Sequence, residues 1–236
     1  MRLSDDTRLT DRRIQEWFLL QKARAKQAEA APKAVRPGPT ITISRQFGAG
    51  GNSVATRVAA LLGAPWTVWD KEAIKVVAEN AQIKQEMAQA MDERSRSWVQ
   101  EMFRDLLGAH HIDSSAYKRI LIETLLSVAQ QGHKIIVGRG ANYVMPQALN
   151  VRLEADEEWR VQATMRIDNL NHADAVKQVH LVDADRAKFV HDVFGKDVAQ
   201  HKAYDMVLRV DALGGYDAAA AAVAATARVM YQLPDA

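Results

Sequence analysis

The sequence predicts an α/β protein: a parallel sheet of five strands with helices on both faces. Three observations predict it. Short β-branched or apolar runs of strand length alternate along the chain with longer segments of helical period. That alternation requires crossover connections, which make a sheet parallel and bury both its faces. At 236 residues, 48% of them apolar and 25% charged, the chain can fill one core and carry a small helical insert.

Residues 5–31 read as a helix, with Ile14, Trp17 and Phe18 at i, i+3 and i+4 on one face. It stops at Pro32, and Val35-Arg36-Pro37-Gly38-Pro39 is a linker, because two prolines remove backbone donors and hold the chain extended. Thr40-Ile41-Thr42-Ile43-Ser44 is a β-branched run and the first strand. Gly48-Ala49-Gly50-Gly51 follows at once, then a helix over 52–62 with Val54, Val58 and Leu61 inward and Gly63 as its stop. Thr67-Val68-Trp69, closed by Asp70, is the second strand, and residues 71–131 read as helices near 71–80, 82–107 and 115–131. Lys134-Ile135-Ile136-Val137 and Val151-Arg152-Leu153 are the third and fourth strands, followed by helices over about 156–167 and 172–194. A strand over 205–210 and an Ala-rich helix over 217–231 close the chain.

Composition removes several classes of function. With no cysteine there is no disulfide framework, thiolate zinc site, iron–sulfur cluster or cysteine nucleophile. No apolar run approaches the ~20 residues of a bilayer span. The opening Met1-Arg2-Leu3-Ser4-Asp5-Asp6 lacks the apolar stretch of a secretory signal, and a cytoplasmic protein is expected. The net charge of +2 is too small to point to nucleic acid or a membrane as main partner. Residues 1–39 carry nine Lys/Arg against five Asp/Glu, so the mild basicity belongs to the leading segment and the remainder is slightly acidic. That segment reads as an arm packed on its own domain, on a second copy in a homodimer or on a partner protein; a membrane-surface or regulatory helix is the other reading. His110 and His111 are adjacent and point apart on a helix, a poor metal pair, while Trp66, Trp69, Trp98 and Trp159 read as packing residues.

The strand–glycine turn–helix unit at 41–62 carries the chemistry. Glycines let backbone N–H groups converge, and the following helix adds its unpaired N-terminal donors and positive dipole end. A polyphosphate is the natural guest. A Walker A loop reads G-x-x-x-x-G-K-[ST]. Aligned on Gly50, this loop has Arg45 at the first glycine, Gly51 at the lysine and Asn52 at the Mg²⁺-binding hydroxyl, with Ser53 one position beyond. Arg45 is the nearest replacement for the missing charge.

Ile43-Ser44-Arg45-Gln46-Phe47-Gly48-Ala49-Gly50-Gly51, Leu62-Gly63 and Trp69-Asp70-Lys71-Glu72 resemble the opening signature of the cytidylate kinase-like family. Ile136-Val137-Gly138-Arg139-Gly140-Ala141-Asn142 resembles its middle motif. Asp183-Ala184-Asp185-Arg186-Ala187-Lys188 and Tyr204-Asp205-Met206-Val207 resemble its lid and last-strand motifs. The likeness covers residues 40–230. It implies a three-layer P-loop kinase fold with a helical monophosphate-binding insert at about 71–131 and a lid at about 172–197. It also implies ATP- and Mg²⁺-dependent phosphoryl transfer to a nucleoside monophosphate, CMP or dCMP.

Under that resemblance, Gly48, Ala49, Gly50, Gly51, Asn52 and Ser53 cradle the donor phosphates, and Asp70 faces the acceptor or a Mg²⁺ water. Arg139 holds the acceptor phosphate, and Arg186, one turn after Asp183, approaches the transferring group from the lid. Arg45, Arg139 and Arg186 are thus the expected catalytic charges. No protein cage for a metal is expected, Mg²⁺ being reached through Ser53 or Asp70. Each residue has a plainer reading: Asp70 as a helix N-cap, Asp183 and Arg186 as a surface ion pair, Arg45 as a strand-edge cation. The family's usual arginine after the lysine position is Asn52 here, and a family Gly-Arg-Asp is Gly138-Arg139-Gly140. These departures support the rival expectation, a catalytically weak or inactive nucleotide-binding sensor or partner-binding protein with a degenerate P-loop.

Overall fold

The computed structural model describes residues 38–80 and 116–234, with positions 85, 89, 97 and 99–103 between them. The expected helix over 5–31 lies outside these residues, as do His110, His111, Trp98 and most of the helix expected over 82–107.

Five strands, β1 (Thr40–Arg45), β2 (Thr67–Trp69), β3 (Lys134–Val137), β4 (Leu149–Glu154) and β5 (Met206–Arg209), form one parallel sheet ordered β2-β3-β1-β4-β5. Ile41 pairs with Ile135 on one side and Leu149 on the other, so β1 is central. The α/β class and parallel sheet expected from the sequence are both present. Strand β1 runs one residue longer and β4 three residues longer than the runs that announce them, since pairing on both sides extends them.

The helices are α1 (Gly51–Leu62), α2 (Lys71–Glu79), α3 (Ala116–Gln130), α4 (Ala141–Val144), α5 (Glu157–Asp168), α6 (His172–Phe194) and α7 (Tyr216–Tyr231). Helix α4 is a single turn that no apolar period announces. Alternation along β1 and β3 sends Ile41, Ile43, Ile135 and Val137 to one face, where Val54, Val58, Val223 and Ala227 of α1 and α7 cover them. Ile136 points the other way, into Ile74, Leu121, Leu125, Met145 and Phe194. Both faces are therefore dry, as a parallel sheet requires. Among the described residues no helix is long and apolar enough to cross a membrane.

The helix ends are set locally. Asp70 accepts from the Ala73 N–H at 3.0 Å to start α2. Asn171 accepts from the Asp174 N–H at 2.9 Å to start α6, and Gly195 at φ 63° ends that helix. At the carboxyl ends of the strands, the turns after β1, β2, β3 and β4 converge where β1 lies between β3 and β4, a topological switch point.

Candidate active site

The turn after β1 is a glycine-built cradle at the open end of α1. Gly48 and Gly50 have φ of 80° and 77°, in the left-handed region that glycine enters without strain. The first bond within α1 runs from the Val54 N–H to the Gly50 carbonyl at 2.8 Å. The N–H groups of Gly51, Asn52 and Ser53 precede it, so α1 offers its unpaired donors and dipole end to the turn. The resulting cleft has a volume of about 480 Å³ and is lined by Arg45, Gly48, Gly50, Gly51, Asn52, Ser53 and Arg186, with Thr164, Ile167 and Gln178 as its outer wall. Ala49 is buried behind the turn.

Arg45 occupies the room that a side chain at position 51 would need. A Cβ built on Gly51 would fall 2.8 Å from Arg45 Cγ and 3.0 Å from its Cδ. A Cβ on Gly138 would fall 2.1 Å from Arg45 Nη1. The Arg45 side chain is thus threaded between two positions kept free of side chains. Burial pushes its pKa down to about 9, with Arg186 and then Arg139 lowering it further while Glu72 and Asp70 pull the other way. Arg186, half-buried, is also pushed down, first by desolvation, against the pull of Asp183 and with a further push from Arg152. Arg45 and Arg186 thus bring two guanidiniums to the lining of one cleft.

Arg186 donates to the Arg45 carbonyl at 3.3 Å, and its guanidinium lies 5.4 Å above the Phe47 ring. Its distance from Asp183 is 4.0 Å, and the closer partners of Asp183 are others. One Asp183 oxygen accepts from the Phe47 N–H at 2.7 Å, and the other from Arg160 at 2.7 Å. Asp183 is therefore a loop anchor rather than half of a simple surface pair.

Arg139 lies to the side of this cleft. Gly138, Arg139 and Gly140 have φ of 83°, 57° and 66°, three left-handed residues in a row. For Arg139 that geometry carries strain of the kind found at functional sites. Gly140 is pressed on the Phe194 ring, where a Cβ would come within 2.1 Å. The Arg139 guanidinium lies 5.3 Å over the Phe189 ring and donates to the Tyr117 hydroxyl at 3.4 Å. It closes one end of a second cavity, about 400 Å³ and mostly apolar, walled by Ile74, Ala78, Tyr117, Ile120 and Leu121 with Lys75 and Glu79 at its edge.

Asp70 serves as the α2 N-cap and lies close enough to Arg45 to affect its charge. Among the described residues no group of three or more His, Cys, Asp or Glu could cage a metal ion. The oxygens at hand, Ser53 Oγ and the Asp70 carboxylate, suit a Mg²⁺ ion held mainly by phosphates and water.

Sequence reasoning missed two buried arginines. Arg152 on β4 bonds Glu154 at 2.8 Å and Ser44 Oγ at 3.3 Å and lies 5.6 Å over the Tyr204 ring. Arg160, only 6% exposed, bonds Asp183 and the carbonyls of Phe47 and Ala155. A legible signal existed for Arg160: it shares the inward face of α5 with Thr164, a place where an unpaired charge is rarely tolerated.

A sequence profile of the cytidylate kinase-like family matches residues 40–212. A comparison with curated proteins finds no match. Among solved structures, an uncharacterized protein from Eubacterium ventriosum superposes with a TM-score of 0.58 at 16% identity, covering 80% of this chain and 98% of its own. That likeness shows a shared fold. A shikimate kinase from Bacteroides thetaiotaomicron is aligned over 83% of this chain and 99% of its own at 13% identity, with a TM-score of 0.42.

Proposed function

The chain belongs to the cytidylate kinase-like family, and from that premise we propose that it transfers the terminal phosphoryl group of ATP to a nucleoside monophosphate, CMP or dCMP. One observation carries the reading: Arg45 fills the space a lysine at position 51 would enter, beside Arg186 and the glycine turn. The loop has lost its ammonium without losing its charge.

Phosphoryl transfer asks the protein for position and positive charge more than for covalent chemistry. The N–H groups at the start of α1 bind and orient the donor phosphates. Arg45 approaches them from below and Arg186 from α6, which acts as the lid. Both guanidiniums meet charge that develops on the migrating group, where fixed donors contribute most. Arg139, preset by its glycine-flanked turn, holds the acceptor phosphate, for which a guanidinium fork is suited. The apolar cavity beside it receives the rest of the acceptor and excludes water. Ser53 and Asp70 would hold Mg²⁺ with the nucleotide, and that ion supplies neutralisation of the phosphate oxygens.

The test is the full chain with ATP, Mg²⁺ and a panel of nucleoside monophosphates, scored for ADP and for the product diphosphate. Accumulation of CDP that falls steeply in Arg139→Ala at subsaturating acceptor supports the reading. Thermal stabilisation by ATP with no turnover on any acceptor would replace it with the sensor.

A further inference from the structure

Arg160 holds the glycine turn from behind. Its Nε donates to the Ala155 carbonyl at 3.2 Å, and its Nη1 to the Phe47 carbonyl at 3.3 Å and to Asp183 Oδ2 at 2.7 Å. The other Asp183 oxygen takes the Phe47 N–H at 2.7 Å. Both backbone polar groups of Phe47 are thus consumed by one arginine–aspartate pair. The next residue is clamped as well: a Cβ on Gly48 would fall 2.7 Å from the Arg160 carbonyl oxygen and 2.9 Å from Arg160 Cβ. The Phe47 ring packs on the small cluster of Val161, Ala175 and Val179, which joins α5 to α6. Four kinds of contact (ion pair, backbone bonds, close glycine approach, ring packing) meet at residues 47–48, the start of the turn that presents the N–H groups of α1.

We propose that Arg160, acting through Asp183, is a positioning residue that sets the shape of the phosphate turn and ties it to α6. With Phe47 held, the turn keeps its donors convergent before any ligand arrives, and the orientation cost of binding is met during folding. The same pair couples the two cationic elements of the cleft. Arg186 sits one turn beyond Asp183, so seating Asp183 on the loop also seats Arg186 over it. A lysine cannot take the place of Arg160, because one ammonium on a flexible stem does not present a fixed fork to three acceptors on three segments.

The kinetic part of the test rests on the phosphotransferase reading; the exchange part does not. Amide exchange at Phe47 is measured in the ligand-free full chain for wild type, Arg160→Lys and Asp183→Asn. Affinity for ATP with Mg²⁺ and for tripolyphosphate is measured by titration, and both Michaelis constants by turnover. The expected result is Phe47 exchange about tenfold faster in each variant, the effect of losing a charge-assisted bond. ATP and tripolyphosphate should bind about tenfold more weakly, with the acceptor Michaelis constant unchanged. The double variant should cost no more than the worse single one. Phe47 exchange equal to wild type in both variants would overturn the proposal, and so would equal rises in the two Michaelis constants, the mark of a structural loss. Faster exchange in a chain whose wild type binds neither probe supports the clamp and removes the phosphotransferase reading instead.

Discussion

The two cavities of this molecule are built on opposite principles. The cleft at the glycine turn is made of backbone and charge: glycines at positive φ, the open end of α1 and two guanidiniums held against their own repulsion. Its walls are fixed by β1, α1, α5 and α6 at once. The cavity beside Arg139 is made of side-chain shape, aliphatic walls from α2 and α3 with a single guanidinium at one end. Charge cannot be relocated cheaply, so the first cavity is over-determined by its scaffold. Shape can be retuned by one side chain at a time, and under the proposed function the second is the cavity that would select the acceptor.

If that contrast is right, the largest effect is at Arg45. Arg45→Met should cut turnover by about 10³-fold, the low end for loss of an arginine that meets transferring charge. It should at the same time leave the melting temperature equal or higher, since a cation pushed down to about 9 by burial and by Arg186 is a burden on the fold. Steady-state ADP formation and a thermal melt of the same sample check both halves. Turnover near wild type would erase the distinction between the cavities.

Arg139→Ala should raise the acceptor Michaelis constant by about 10²-fold while leaving that for ATP within about twofold. Equal movement of both constants would mean that Arg139 serves the phosphate cleft instead. Gly138→Ala places a methyl 2.1 Å from the Arg45 guanidinium at φ 83°. It should cost about 1–3 kcal/mol in denaturant unfolding and displace Arg45. Smallest is Asp70. Asp70→Ala should lose about 1 kcal/mol with the α2 cap. Asp70→Asn keeps an acceptor for the Ala73 N–H, so its stability should match wild type. A fall in its turnover then reports the carboxylate's separate work near the acceptor and Mg²⁺.

Much of this was legible in advance because the relevant physics is local. Strand runs, helix periods and glycine stops depend on residues within a turn or two of each other, and Asp70 as a cap is a matter of three residues. The glycine turn after β1 could be read as a phosphate cradle for the same reason. What stayed hidden was contact across the chain. Arg160 reaches Asp183 and Phe47, 23 and 113 residues away. Asp183 and Arg186 at i, i+3 read as partners, yet Asp183 turned to Arg160 and to a backbone N–H because those were closer and drier. Helix α4 has one turn and no period to detect.

By itself, then, the order of residues settled which segments are strands, where most helices stop, and that a glycine turn opens onto a helix N-terminus at the end of β1, because those outcomes follow from backbone sterics and side chains a few positions apart. Only the folded chain decided which arginine packs against the glycine turn. Arg45 lies six residues before Gly51 and 93 before Gly138 in the sequence, and nothing short of the packed sheet brings both glycines against its side chain. Desolvation and repulsion among Arg45, Arg186 and Arg139 likewise arise only when β1, α6 and the turn after β3 converge.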